Sequence, residues 1–166
     1  MVNFFLFPLL LSALISFLGT LATIWLAWHT KLIGVDDPAK HHHPKVVHSY
    51  PVPRGGGLPI FLAVFLTGLV FLPIDKHFWG IMGGALILLL TGLLDDHFDL
   101  NPYLRLGANF LAAGLVVASG IGIAFISNPF GGVIQLDQPR VVFEFLGQTR
   151  EIWVASCLFG LLWLVW

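Results

Sequence analysis

Five long apolar stretches, at about 4–28, 58–73, 78–94, 106–126 and 152–166, alternate with short polar connections along this chain. Crossing the hydrocarbon core of a bilayer takes about 20 predominantly apolar residues. Within lipid every backbone N–H and C=O has to be satisfied inside the segment, so such runs fold as helices rather than open strands. The pattern therefore predicts an all-α, polytopic transmembrane bundle of about five helices, with residues 1–166 forming a single transmembrane domain. Between the second and third stretches, "PIDKH" at 73–77 reads as a tight turn. Gly80, Gly83 and Gly84 give the third helix a surface on which another helix can approach closely. One region breaks the helical pattern. The run "VIQLDQPRVVFEFLGQTREI" alternates apolar and polar residues around Gln138-Pro139 and predicts a small extracytoplasmic β-hairpin.

Composition reinforces the membrane reading. The chain is 57% hydrophobic and only 10% charged, with a mean hydropathy of +0.89, whereas soluble domains carry about 25% charged residues. A net charge of −1 and the lack of any basic arm give no footing for a nucleic-acid partner. Cys157 is the single cysteine, which excludes an internal disulfide. The first apolar stretch has no basic leader and is too long for the apolar region of a secretory signal, so it reads as a retained helix. Lys31, Lys40, Lys45, Arg54 and Arg105 fall in the connections 29–57 and 95–105, against Lys76, Arg140 and Arg150 on the alternate side. By the positive-inside rule the first two connections are cytoplasmic and the N-terminus lies outside.

Two polar constellations interrupt this apolar chain. The first, "GLLDDHFDLNP" at 92–102, places Asp95, Asp96, His97 and Asp99 at the end of a membrane-length run. A charge at the bilayer centre costs roughly 2.5–3.5 kcal/mol even on insertion scales, and carboxylates four apart on one helix face repel. The bland reading is a solvated helix end. The sharper one is a carboxylate pair, Asp95 and Asp96, holding a hard divalent cation through oxygen ligands and shared with substrate phosphates, with one carboxylate free to act as a base. Asn101-Pro102 reads as the N-cap and first residue of the next helix. The second constellation is "HSYPVPRGGG" at 48–57. Pro51 and Pro53 hold the chain extended, Arg54 offers a fork suited to phosphate, and Gly55 and Gly56 allow close backbone approach or positive φ. His48 and His97 are further candidates for phosphate contact. By itself a Pro/Gly segment before a helix is most often just a loop, and "HHHPKVVH" reads as solvated despite its metal-binding residue types. The predicted topology puts both constellations on the cytoplasmic face, where one suits phosphate and the other metal.

In order and spacing, "HSYPVPRGGGLPIF", "GLLDDHFDLNPYLRLGANFLAA" and "IWVASCLFGLLWLVW" resemble the polyprenyl-phosphate N-acetylhexosamine-1-phosphate transferases of glycosyltransferase family 4. The resemblance implies transfer of an N-acetylhexosamine-1-phosphate from a UDP-sugar to undecaprenyl phosphate, initiating cell-envelope polysaccharide synthesis at the bacterial inner membrane. It implies Mg2+ as cofactor, with Mn2+ as a substitute, and places Asp95 and Asp96 at the family's catalytic, metal-binding pair. His48 and Arg54 fall at the family's cytoplasmic-loop positions before the paired glycines, Gly55 and Gly56. Two features depart from the family pattern: a basic pair before His48 is reduced to Lys45, with Val46 following, and His41, His42 and His43 are an addition. Members of the family are longer and carry a third aspartate after the fifth helix. The chain is thus expected to be the N-terminal part of a larger transferase fold, inactive alone and completed by a C-terminal half or a second copy. The alternatives are a non-catalytic membrane fragment or subunit, and a transporter with boundary aspartates. A transporter relaying protons would carry its acids near mid-helix, and the spaced Asp-Gly pattern of CDP-alcohol phosphotransferases is missing from this sequence.

Overall fold

The computed structural model describes residues 2–29, 35–36, 51–98, 100–128, 131–136, 138, 140–145 and 148–166. His41, His42, His43, His48 and Asp99 lie outside the described residues. Five helices dominate: α1 (Val2–His29), α2 (Gly57–Phe71), α3 (Lys76–Phe98), α4 (Pro102–Ala118) and α5 (Val154–Val165). α1 and α3 are long and apolar enough to cross a membrane. At 1.5 Å per residue, α2 is only about 22 Å long. It stops early because Leu72 precedes Pro73 and is forced extended, with φ −107° and ψ 151°. The second apolar stretch, expected to be helical over 58–73, therefore ends at Phe71.

The other helix bounds shift for equally local reasons. α3 was expected over 78–94 but begins at Lys76, because Asp75 caps it: Asp75 Oδ1 accepts from Phe78 N at 2.9 Å. It also continues to Phe98, so Asp95 and Asp96 belong to its closing turns. α4 spans Pro102–Ala118, starting at the cap read from Asn101-Pro102 and stopping short of the apolar stretch expected over 106–126. Asn101 caps it, its side chain accepting from Tyr103 N at 3.0 Å, and Pro102 supplies the pre-set first φ. At the other end Gly120 turns into the left-handed region at φ +101°, so the apolar residues beyond it are not helical. The fifth stretch, expected over 152–166, becomes helical only at Val154 because the preceding two residues belong to a strand.

The extended segments form three two-stranded antiparallel sheets: β1 (Val35–Asp36) with β2 (Val52–Pro53), β3 (Phe125–Ser127) with β4 (Val133–Gln135), and β5 (Arg140–Phe145) with β6 (Gln148–Trp153). The hairpin expected from the alternating run is β5–β6, and β3–β4 forms a second one ahead of it. β4 pairs backward with β3, Ser127 opposite Val133. The turn between them uses Gly131 and Gly132 at φ +108° and +83°, with Gly131 N donating to Asn128 O at 3.0 Å. Positive φ is readily accessible to glycine, and a turn built on it ties β4 to the strand before it. β5 and β6 pair from Arg140–Trp153 to Phe145–Gln148.

α1 packs along α2 and α3 runs antiparallel along α4, with α2 against α3 and α5 against α4. The α3–α4 seam is the closest. A Cβ on Gly80 would lie 2.3 Å from Ser119 Cβ, one on Gly83 2.7 Å from Leu115 Cδ2, and one on Gly84 3.0 Å from Ala112 O. Phe78, Met82, Ala112 and Ala113 are buried in this region, and Phe78 stacks on Phe65 of α2 at 6.3 Å. Large apolar side chains such as Phe17, Leu18 and Trp25 of α1 remain exposed. On a helix of membrane-spanning length that exposure suits a lipid-facing surface rather than a water-facing one. The structure thus has the helical bundle architecture expected of an integral membrane protein.

Candidate active site

The seam between α3 and α4 determines which polar groups meet at its end. Pairing advances from Gly80–Ser119 through Gly83–Leu115 and Gly84–Ala112, and the same antiparallel register brings Asp95 opposite Arg105. Arg105 NH1 lies 3.3 Å from Asp95 Oδ2. The other oxygen, Asp95 Oδ1, accepts from Leu100 N at 3.1 Å, closing the turn that leads into α4. Asp95 is thus held at both oxygens.

Asp96 has the opposite character. Its side chain is exposed, and its carboxylate has no partner among the described residues. Its main-chain carbonyl accepts a hydrogen bond from the Arg54 guanidinium. That carbonyl is one of the last four of α3, which lack intrahelical donors, so Arg54 satisfies a group the helix itself cannot. This contact joins the Pro/Gly loop to the aspartate pair. Two segments 42 positions apart in sequence therefore meet at the end of α3.

Local geometry explains how Arg54 reaches α3. Val52 and Pro53 form the extended strand β2. Gly55 then adopts φ +86°, and Leu58 N donates to Gly55 O at 3.1 Å as α2 begins. A Cβ on Gly57 would meet Leu89 Cδ1 at 3.4 Å, whereas one on Gly56 would meet nothing within 4 Å. The amino end of α2 therefore lies beside Leu89, and α3 continues more than two further turns beyond it. Arg54, just ahead of the α2 start, spans this step. His97 is exposed, its ring edge-on to Phe98 at 5.1 Å.

Of the residues singled out from sequence, the structure brings together Asp95, Asp96, Arg54 and the Gly55-Gly56 turn. His97 stands beside them without contacting either carboxylate, and His48 lies outside the described residues. Sequence reasoning counted Arg105 only as a topology charge. The signal for it was the Asn101-Pro102 cap, since a short turn between antiparallel helices places residues on either side of it at the same level.

No group of three or more His, Cys, Asp or Glu able to hold a metal exists among the described residues. Among the described residues, the donors near the turn are two adjacent carboxylates. Mg2+ typically takes one or two carboxylates and completes its shell with water and substrate phosphates rather than occupying an all-protein cage. Asp95 and Asp96 fit a metal shared with a substrate.

At the opposite end of α3 a second polar group forms. Asp75 Oδ2 lies 2.9 Å from His77 Nδ1; an ionised carboxylate only accepts, so this nitrogen carries the proton. The His77 hydrogen bond, aided by the one from Phe78 N, holds the Asp75 carboxyl below the usual carboxylate range. Lys76 and His77 both approach Gly120 at the end of α4. The carboxylate pair and this cluster therefore mark opposite ends of the bundle.

Fold and site together define a helical membrane protein that presents an acidic pair beside a basic, glycine-rich loop. The comparison with known proteins agrees: the glycosyl transferase family 4 profile matches residues 78–166. The chain belongs to that family. It is 31% identical over 102 residues to the probable undecaprenyl-phosphate N-acetylglucosaminyl 1-phosphate transferase of Bacillus subtilis, covering 60% of this chain and 27% of the relative. It is 27% identical over 156 residues to the decaprenyl-phosphate N-acetylglucosaminephosphotransferase of Mycobacterium leprae, covering 83% of this chain and 38% of the relative. The protein of the same name from Mycolicibacterium smegmatis is 25% identical over 158 residues, covering 87% and 39%. The chain spans 27% to 39% of the length of the curated relatives it matches. No solved structure matches it significantly.

Proposed function

We propose that this chain contributes the cytoplasmic catalytic face of a transferase that moves N-acetylhexosamine-1-phosphate from a UDP-sugar to undecaprenyl phosphate. The observation that carries this reading is the Arg54 contact to the Asp96 carbonyl, which unites a phosphate-friendly loop with an open carboxylate at a helix end. Relatives named for polyprenyl-phosphate substrates support it. In the reaction an oxygen of the lipid phosphate attacks the sugar-bearing phosphorus of the UDP-sugar. A new P–O bond forms as the bond to the UMP oxygen breaks, giving a lipid diphosphate sugar and UMP. Phosphoryl transfer of this kind depends chiefly on positioning and charge neutralisation.

Asp95 and Asp96 are the residues that would hold Mg2+, which when bound supplies a positive charge against the diphosphate oxygens. Arg54, the Gly55-Gly56 turn and the positive end of α2 offer donors to phosphate oxygens. His97, exposed next to Asp96, would contact phosphate or nucleotide, and the family resemblance gives His48 the same role. The product would start a cell-envelope polysaccharide at the bacterial inner membrane, with Arg54 and the Asp95 end of α3 on the cytoplasmic side. The test is UMP release by the full-length gene product in detergent, supplied with undecaprenyl phosphate, UDP-N-acetylglucosamine and Mg2+. Release that requires both lipid and UDP-sugar is expected. Lipid-independent release, or none with any UDP-N-acetylhexosamine, would overturn the assignment.

A further inference from the structure

We infer that Arg105 is a positioning residue that fixes Asp95 and so sets the geometry of the carboxylate pair for a divalent cation. The inference rests on the proposed role of that pair. Three observations carry it. Arg105 NH1 meets Asp95 Oδ2 at 3.3 Å, and Leu100 N meets Oδ1 at 3.1 Å, so the carboxylate is oriented from two directions. Arg105 lies in the first turn of α4, whose start is fixed by the Asn101 cap and Pro102. The two helices are locked in register by the Gly80, Gly83 and Gly84 contacts, so the guanidinium is presented by a rigid element. Among the described residues Asp96, by contrast, has its main chain tied, through Arg54, and not its carboxylate. One carboxylate is thus held and its neighbour is open.

A group that orients a metal-binding carboxylate is commonly worth about 10–100-fold in metal affinity or activity. An arginine that only staples two helices would leave metal affinity unchanged. The Arg105 side chain is 54% exposed, and an ion pair so open to water contributes little to stability. The effect of its loss should therefore appear in metal binding rather than in folding.

The experiment uses the full-length gene product in detergent and titrates Mn2+, followed by its electron paramagnetic resonance signal, with and without UDP-N-acetylglucosamine. Arg105→Ala and Arg105→Gln should weaken Mn2+ binding about tenfold or more, with thermal unfolding close to wild type. Arg105→Lys, which keeps the charge and loses the fork, should recover part of the loss. Wild-type Mn2+ affinity in folded Arg105→Ala and Arg105→Gln proteins would overturn the inference, as would a wild type that binds no Mn2+. UMP release by the wild type reports separately on the proposed function, so the two ideas can fail independently.

Discussion

Adjacent in sequence, Asp95 and Asp96 are nevertheless unequal. Asp95 is engaged by Leu100 N and Arg105, while the Asp96 carboxylate faces outward without a partner among the described residues. Replacing Asp96 by Asn removes a charge from the open position while keeping shape, so the fold has little reason to change. Transfer should fall by a hundredfold or more, the scale expected when one fixed electrostatic contact to a reacting group is lost. UMP release by the Asp96→Asn protein measures this directly, and near-normal turnover would remove Asp96 from the site. Asp75 provides a pH prediction at the other end of α3. Its folded pKa is depressed below 3.8, chiefly by the His77 hydrogen bond. A depressed carboxylate contributes stability that is fully present above its unfolded pKa and is lost as pH falls through the folded value. Wild type should therefore lose stability relative to Asp75→Asn when acidified below about pH 4. A difference between the two that stays constant from pH 6 to pH 3 would contradict the assignment.

Among the elements, the α3–α4 pair controls the site, and its glycines sort into two kinds. At Gly80 a Cβ would collide with Ser119 Cβ at 2.3 Å; at Gly92 it would meet nothing within 4 Å. Gly80→Ala must force the helices apart and should destabilise by about 1–3 kcal/mol, the usual cost of overpacking. Gly92→Ala gains helix propensity without a clash and should be neutral or stabilising by up to about 1 kcal/mol. Thermal unfolding of the two variants in detergent would show the contrast, and equal effects would mean the seam is not close-packed. Hydropathy located all five helices because an apolar run of that length has few other ways to satisfy its backbone. Their ends were legible only where a cap was present. Asn101-Pro102 marked the start of α4, but the run beyond Ala118 stays apolar through Ile126, and only the positive φ of Gly120 ends the helix. Alternation around Gln138-Pro139 signalled the β5–β6 hairpin but not the pairing of β4 with β3, which the glycine turn at 131–132 governs. Arg105 escaped notice because its partner is set by helix register rather than by sequence proximity.

On the scale of the whole molecule, the bundle has two chemically distinct ends, and they yield a topology prediction. Arg54, Asp95, Asp96 and Asn101 gather at one end; Asp75, Lys76, His77 and Gly120 gather at the other, from which the chain continues into the β3–β4 and β5–β6 hairpins. A charged connection does not cross lipid freely, so these ends are expected on opposite faces of the membrane. The excess of Lys and Arg in the connections 29–57 and 95–105 predicts a cytoplasmic aspartate end. Soluble UDP-sugars would meet the site there. In a Cys157→Ala background, Asn101→Cys should resist a membrane-impermeant thiol reagent applied to intact cells and label only after permeabilisation. Gln138→Cys, in the exposed connection ahead of β5, should label in intact cells. The reverse pattern would invert the topology and place Asp96 outside, away from the nucleotide pool. The reaction proposed here would then lose its donor, whatever the geometry of the carboxylates.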